Sequence, residues 1–285
     1  MAGRRVVVDW TDERYSNGPN VFPLLFDCDL VDSSTDWQTS QSVTPNSWLF
    51  NLHRDAESMS RLTSTPRSQI ERQLSINPRQ LYDEDVAVLI ASRIYDQVFH
   101  WLTSQSTYPQ DWPRNLNEFM RFFVRELCVP VADLRELVFG LQKSLFGDRD
   151  VLGIHVRYTD NWSRRKYDPM KVFGPYCDKH LQNPNTAIYL ATDNRQIENQ
   201  LLSQYGDRCL SITKWWPNNR GKPLHNPEQG SDRVQVAKEA MTEILLLSKC
   251  SRIVAKYSTF SEYAKLISDV SPDIHIRLED QCTHS

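Results

Sequence analysis

From residue 151 onward the sequence alternates strand-like and helix-like segments, and this alternation narrows the possible folds more than any other feature. Strand-like runs occur at 151–157, 187–192, 208–213, 252–256 and 273–278. Helix-like segments at about 169–181, 194–205, 232–249 and 260–269 lie between most of them. Strands separated by helices of this length predict βαβ units, a parallel sheet and right-handed crossovers. In such a sheet, ligands bind at the carboxyl ends of the strands. The residues that follow each strand are therefore the ones to read for chemistry.

The first strand reads Val151-Leu-Gly-Ile-His-Val-Arg-Tyr-Thr-Asp-Asn161. Alternation places Leu152, Ile154 and Val156 on one face, with Gly153, His155 and Arg157 on the other. A buried guanidinium must find an anion. Arg157 therefore predicts either a ligand phosphate at the strand end or a structural carboxylate. His155 is open between a ligand contact and a core hydrogen bond.

The second strand ends in Thr192-Asp193-Asn194. Asp193 can accept hydrogen bonds from a base or ribose, or cap the helix that begins at Asn194. The third opens into the long segment 214–231, where Trp215, Trp216, Arg220 and Lys222 could cover a sugar or phosphate, or form a surface insertion. The fourth, Arg252-Ile-Val-Ala-Lys256, runs through Tyr257-Ser258-Thr259-Phe260-Ser261 into a helix. A strand–turn–helix junction rich in hydroxyls offers backbone N–H groups and the positive end of a helix dipole, which suits phosphate. The same residues also serve as ordinary helix caps. Glu243 lies beside the apolar run Ile244–Leu247 with Glu239 four residues before it. This spacing reads most simply as an acidic, solvated face, with a ligand-orienting carboxylate as the alternative.

Before residue 150 the chain is less legible. Arg4–Trp10 is a β-branched strand candidate, and Asn20–Phe26 is a short apolar piece that packs on the first sheet. A short helix or strand is expected at 48–52, and helices over 83–102, 117–128 and from Pro130 to about 145, ended by Gly147. The two halves divide at 1–148 and 149–285. The net charge of −3 lacks the footprint of a nucleic-acid binder. No Gly-rich Walker or Gly-x-Gly-x-x-Gly loop is present, which lowers kinase, NTPase and dehydrogenase readings. Six scattered cysteines with no Cys-x-x-Cys give neither a zinc site nor a disulfide framework. No apolar stretch reaches the length of a membrane span, and no signal peptide is visible, so a cytoplasmic location is expected.

Taken in order, His155-Val-Arg157-Tyr-Thr159-Asp160, Tyr189-Leu-Ala-Thr192-Asp193, Glu243-Ile-Leu-Leu-Leu-Ser248 and Tyr257-Ser-Thr-Phe-Ser261 resemble the ordered motifs of the α-1,6-fucosyltransferases. That family includes the bacterial nodulation-type enzymes and the animal core-fucosylation enzyme. Val6–Trp10 with Asn20–Phe26 resembles the second-strand region of the nodulation-type members. The resemblance is strongest over 150–268. It implies a GT-B-like α/β fold of two Rossmann-like halves with a donor cleft between them, the N-terminal half being the acceptor side. It also implies GDP-fucose as donor substrate, inversion, no metal cofactor, and a glycan or lipo-oligosaccharide acceptor.

By the same resemblance, Arg157 binds the donor diphosphate, and Ser258, Thr259 and Ser261 fall at the diphosphate loop. Asp193 lies near guanine or ribose, Glu243 is a donor contact, His155 shapes the donor-binding strand end, and Asp160 is the candidate for acceptor activation. Two departures stand out. Asn161 replaces the lysine that often follows the Thr-Asp pair, and the strand and Gly-rich turn that precede the Arg4–Trp10 strand in relatives have no counterpart here. The alternatives are a catalytically impaired nucleotide-sugar or glycan-binding protein, and a related transferase using another nucleotide-sugar.

Overall fold

The computed structural model describes residues 6–8, 10–11, 18–33, 36–54, 56–66, 69, 73–76, 87–89, 99–100, 103–159, 167–218, 224, 231–256, 258–269 and 275–278. The expectations for Asp160, Arg220, Lys222 and most of the 83–102 helix lie outside them. The backbone groups into two compact units, one of residues 1–12, 18–23 and 28–128, the other of residues 13–17, 24–27 and 129–285.

In the first unit, β1 (Val6–Val7) pairs parallel with β3 (Val31–Asp32), and β4 (Val43–Thr44) pairs parallel with β5 (Val88–Leu89). The described part of the expected 83–102 helix thus includes a strand. Two β-branched or branched apolar residues met by a partner strand follow the sheet rather than the helical spacing. Asn20 uses its whole amide to tie the N-terminal segments. Its Oδ1 accepts from Trp10 N at 3.0 Å and Phe22 N at 3.1 Å, and its Nδ2 donates to the carbonyls of Val8 and Ser33. Phe22 meets Trp10 edge-on at 5.4 Å. The short helix or strand expected over 48–52 is instead the end of a 3-10 turn, Asn46–Trp48, followed by turn residues. Trp48 is buried with Val43, Leu52, Met59 and Leu74, and its Nε1 donates to Leu74 O at 2.6 Å. Helix α3 (Leu116–Phe122), which follows α1 (Phe22–Leu25) and α2 (Ala56–Leu62), is capped by Asn115 and runs into a π turn at Phe123–Leu127.

The second unit carries the parallel sheet expected from the sequence. Its strands are β7 (Asp150–Val156), β8 (Thr186–Thr192), β9 (Cys209–Leu210), β10 (Arg252–Lys256) and β11 (His275–Leu278), in spatial order β11-β10-β7-β8-β9. The chain builds outward from β7 through β8 to β9, then returns to the opposite side of β7 for β10. The order therefore reverses between β7 and β10, and a doubly wound sheet opens a crevice at that point.

Helices cover both faces. Leu152, Ile154 and Val156 pack with Phe173 and Cys177 of α5 (Pro169–His180) and with Ile197 and Leu201 of α6 (Arg195–Tyr205). The other face takes α7 (Arg233–Ser248), with α4 (Ala132–Leu145) and α8 (Thr259–Ile267) packed beside it. Because α4 packs on α7, it belongs with the second unit, although the sequence boundary at 148/149 places it in the first. Its start also differs. Pro130 lies in β6 (Val129–Pro130), paired antiparallel with β2 (Phe26–Asp27), and the helix begins at Ala132. Gly147 ends that stretch at φ 56°, a left-handed conformation that a glycine adopts without steric cost. Gly153 has a different task. A Cβ there would stand 2.6 Å from Leu247 Cδ1 and 3.1 Å from Cys250 Cβ, so its bare backbone lets α7 approach the central strand.

Candidate functional site

The carboxyl edge of the sheet collects most of the residues singled out in the sequence. Arg157 follows β7 directly, half-buried, where the register pairs β7 with both β8 and β10. Across the β7–β10 crevice, Ser258 caps α8 by accepting Phe260 N at 3.3 Å. The first-turn amides of Thr259 and Ser261 have no intrahelical acceptor by helix geometry. Thr259 is exposed, whereas the Ser261 hydroxyl turns inward to the carbonyls of Ser258 (3.1 Å) and Lys256 (3.4 Å). Arg157 and a helix N-terminus thus border the point where the strand order reverses. Lys256 adds a second cation there, its Nζ 4.0 Å from the centroid of Tyr167.

His155 lies one step inside the edge. It is 6% exposed and stacks on Phe260 at 4.8 Å with the rings 13° apart. Burial, with the charges of Arg157 and Lys214 nearby, pushes its pKa down to about 3. The ring is therefore neutral across the physiological range and supplies no charge to an anion. Its Nδ1 is buried without a hydrogen-bond partner. Leaving such an atom unpaired costs about 1–3 kcal/mol.

Asp193 does not cap the helix that follows it. Asn194 caps α6, accepting from Gln196 N at 3.0 Å and Ile197 N at 3.1 Å. Asp193 instead reaches back to the exit of β7. Its Oδ1 accepts Tyr158 N at 2.7 Å, its Oδ2 accepts Thr159 N at 3.1 Å, and the Thr159 hydroxyl donates to Asp193 O at 2.8 Å. The carboxylate so fixes the turn that carries Arg157, and a half-buried carboxylate with about four lone-pair sites keeps capacity for one more donor. Replacing Asp193 by Ala removes charge-assisted bonds to two backbone amides and is expected to destabilise the fold by about 1.5–3 kcal/mol. Urea unfolding checks this, and a loss below about 0.5 kcal/mol would contradict the clip.

Glu243 corrects the reading of an acidic, solvated face. It is 4% exposed, and Lys214, also buried, donates to its Oε1 at 2.5 Å. Burial raises its pKa to about 7, with Lys214 pulling the other way. The second half of α7 is buried nearly all round, so a side chain one step from the apolar stripe has no solvent to face. Glu239 is not simply solvated either. It accepts Trp215 N at 2.8 Å and holds the start of the segment after β9.

Lys214 is the residue that the sequence reading passed over. Its Nζ also donates to Thr192 O at 2.6 Å and lies 4.6 Å from the centroid of Trp216. The Thr192 hydroxyl donates in turn to Val156 O at 2.8 Å. A continuous set of bonds therefore runs from α7 through Lys214 and the end of β8 to the residue before Arg157. The available signal was a lysine directly after an apolar strand together with a glutamate in an apolar helix, since two such charges need each other. Among the described residues no group of His, Cys, Asp and Glu is arranged to hold a metal ion, and no helix is long and apolar enough to cross a membrane.

No family model matches the sequence, and no curated protein matches it. Solved structures do match. The NodZ α-1,6-fucosyltransferase soaked with GDP-fucose aligns over 93% of this chain and 83% of its own, at 18% identity and a TM-score of 0.57. The NodZ α-1,6-fucosyltransferase co-crystallized with GDP gives 17% identity and 0.56 over the same shares. Fucosyltransferase NodZ from Bradyrhizobium gives 16% and 0.55, again over 93% and 83%. The chain shares their fold. The GT-B-like α/β class expected from the motifs, with its Rossmann-like parallel sheet, is therefore the fold of this protein. At these identities the likeness extends to architecture, and function must rest on the residues at the sheet edge.

Proposed function

We propose that the chain is an inverting glycosyltransferase that moves L-fucose from GDP-fucose to a hydroxyl of a glycan or oligosaccharide, with α-1,6 linkage as the finer expectation from its motifs. The observation that carries this reading is the placement of Arg157 and the N-terminus of α8 on either side of the β7–β10 crevice. Together they offer a planar guanidinium and backbone N–H groups to a diphosphate. The fold shared with the NodZ α-1,6-fucosyltransferase, which was soaked with GDP-fucose and co-crystallized with GDP, supports the choice of donor.

In the proposed reaction, the acceptor oxygen attacks fucose C1 from the face opposite GDP. The C1–O bond to the β-phosphate breaks, its electron pair passes to the leaving diphosphate, and the acceptor hydroxyl releases its proton. Arg157 offsets the charge that grows on the departing phosphate. Ser258, Thr259 and Ser261 hold the diphosphate mainly through the turn they form, since the Ser258 and Ser261 hydroxyls already serve that turn. His155 offers Nδ1 to the donor as a neutral group. Asp193 sets the Arg157 turn and keeps an acceptor site for base or ribose, and Glu243 is the proposed carboxylate contact from α7. Asp160 is the proposed activator of the acceptor hydroxyl. The first unit is the proposed acceptor side, and no metal is required by the proposed chemistry.

Isothermal titration with GDP and GDP-fucose tests the first step. Binding of both, with UDP-sugars failing to compete, is the expected result. No heat from GDP at millimolar ligand would sink the proposal, and binding of GDP-fucose without transfer or hydrolysis would reduce it to a binding protein.

A further inference from the structure

Away from the sheet edge, two cysteines form an arrangement that the proposed reaction does not use. Strands β2 and β6 pair with Phe26 facing Pro130 and Asp27 facing Val129. Val131 N donates to Leu25 O at 3.0 Å, which carries the same register one step back. One step forward, it sets Cys28 opposite Cys128. Antiparallel pairs alternate between those that exchange backbone hydrogen bonds and those that do not. Leu25 and Val131 are bonded, so Phe26 and Pro130 are a non-bonded pair, as a proline without an N–H requires. Asp27 and Val129 then form a bonded pair, and Cys28 and Cys128 a non-bonded one.

The neighbouring backbone agrees with this parity. Cys28 O accepts from Val31 N at 3.1 Å, and Cys128 N donates to Phe123 O at 2.9 Å, so both groups are used elsewhere. Residues facing each other in a non-bonded pair have Cα atoms about 4.5 Å apart, inside the range of about 4.4–6.8 Å that a disulfide spans. Both thiols are free, Cys28 half-buried and Cys128 buried. They are also within hydrogen-bonding reach of each other, and burial with Cys28 beside it pushes the Cys128 thiol up to about 12. Cys177 and Cys209 are neighbours too, but both are buried, Cys177 completely, and neither is half-exposed as Cys28 is.

We infer that Cys28 and Cys128 are a reversible disulfide-forming pair whose co-reactant is a low-molecular-weight disulfide such as oxidised glutathione. The half-exposed Cys28, as thiolate, attacks one sulfur of the small disulfide, and one small thiolate leaves. Cys128 gives its proton to solvent, attacks Sγ of Cys28 and expels the second small thiolate. The sum converts two protein thiols and one small disulfide into one protein disulfide and two small thiols. Once Cys28 is bound in the mixed disulfide it no longer opposes ionisation of Cys128, which eases the second step. The bond closes a long loop, which restricts the unfolded chain.

The test uses the full chain. It is incubated with oxidised glutathione, blocked with N-ethylmaleimide, cleaved without reduction and analysed by mass spectrometry. The expected product is a peptide pair joined through Cys28 and Cys128, about 2 Da lighter than the two reduced peptides and separated by dithiothreitol. Cys128→Ser is expected to retain glutathione on Cys28 instead. In the unsubstituted chain, N-ethylmaleimide on both cysteines, or glutathione persisting on Cys28, would overturn the inference. That reading does not depend on whether the variant folds.

Discussion

Arg157→Ala is expected to weaken GDP binding by about 10- to 150-fold, the loss that follows from removing hydrogen bonds to a charged partner worth about 1.5–3 kcal/mol. In the proposed reaction Arg157 offsets the charge growing on the leaving diphosphate, and such a group acts most strongly in the transition state, so turnover should fall further, by about 100- to 1,000-fold in kcat. Arg157→Lys separates charge from shape. A lysine keeps the positive charge but offers a point contact in place of the planar fork, so it should recover part of the GDP binding and little of kcat. Titration calorimetry and initial rates on the three proteins read both quantities. Binding of GDP by Arg157→Ala within threefold of the unsubstituted chain would remove Arg157 from the site.

The second unit was legible because its elements are set by local pattern. Strand β10 spans 252–256 as read, β7 and β8 begin one residue earlier than expected, and the four helices after residue 168 fall within a residue or two at each end. Each has its own signal: Asp168 before α5, Asn194 before α6, Asp232 before α7 and Ser258 before α8 all cap their helices. The bonds that organise the site were not legible. Asp193 reaches Tyr158 across 35 residues, and Lys214 reaches Glu243 across 29. No local period encodes such pairings, because they follow from strand order. That order set β10 beside β7 and so brought Ser258 near Arg157. In the first unit the described strands are two residues long, too short for alternation to declare them. Val88–Leu89 is a strand only because Val43–Thr44 lies beside it.

Lys214→Met should cost more stability than any other change at the sheet edge. It leaves Glu243 buried without its counter-charge, and breaking one side of a buried ion pair costs about 3–5 kcal/mol. The cost should depend on pH in a defined direction. Burial already holds Glu243 at about 7 in the folded chain, above the ordinary value of about 4.3. A raised folded pKa means that the native state binds the proton more tightly, so this contribution is fully present below about 4.3 and is lost as pH rises through the folded pKa. Lys214 opposes the rise, and its removal moves the folded pKa higher still. Between pH 5.5 and pH 8 the gap between the variant and the unsubstituted chain should therefore widen, and it should do so mainly above about pH 7, by up to about 1.4 kcal/mol per pH unit where Glu243 has ionised in the unsubstituted folded chain and still holds its proton in the folded variant. Lys214→Met with Glu243→Leu should close much of the gap, since an apolar pair of similar volume replaces a buried ion pair at little cost. Urea unfolding of the three proteins at the two pH values gives the answer, and a pH-independent gap would show that Glu243 is not the group left behind. GDP titration on the double variant carries the argument to function. If the Lys214–Thr192–Val156 bonds hold Arg157 in place, GDP affinity should fall even where stability has been restored.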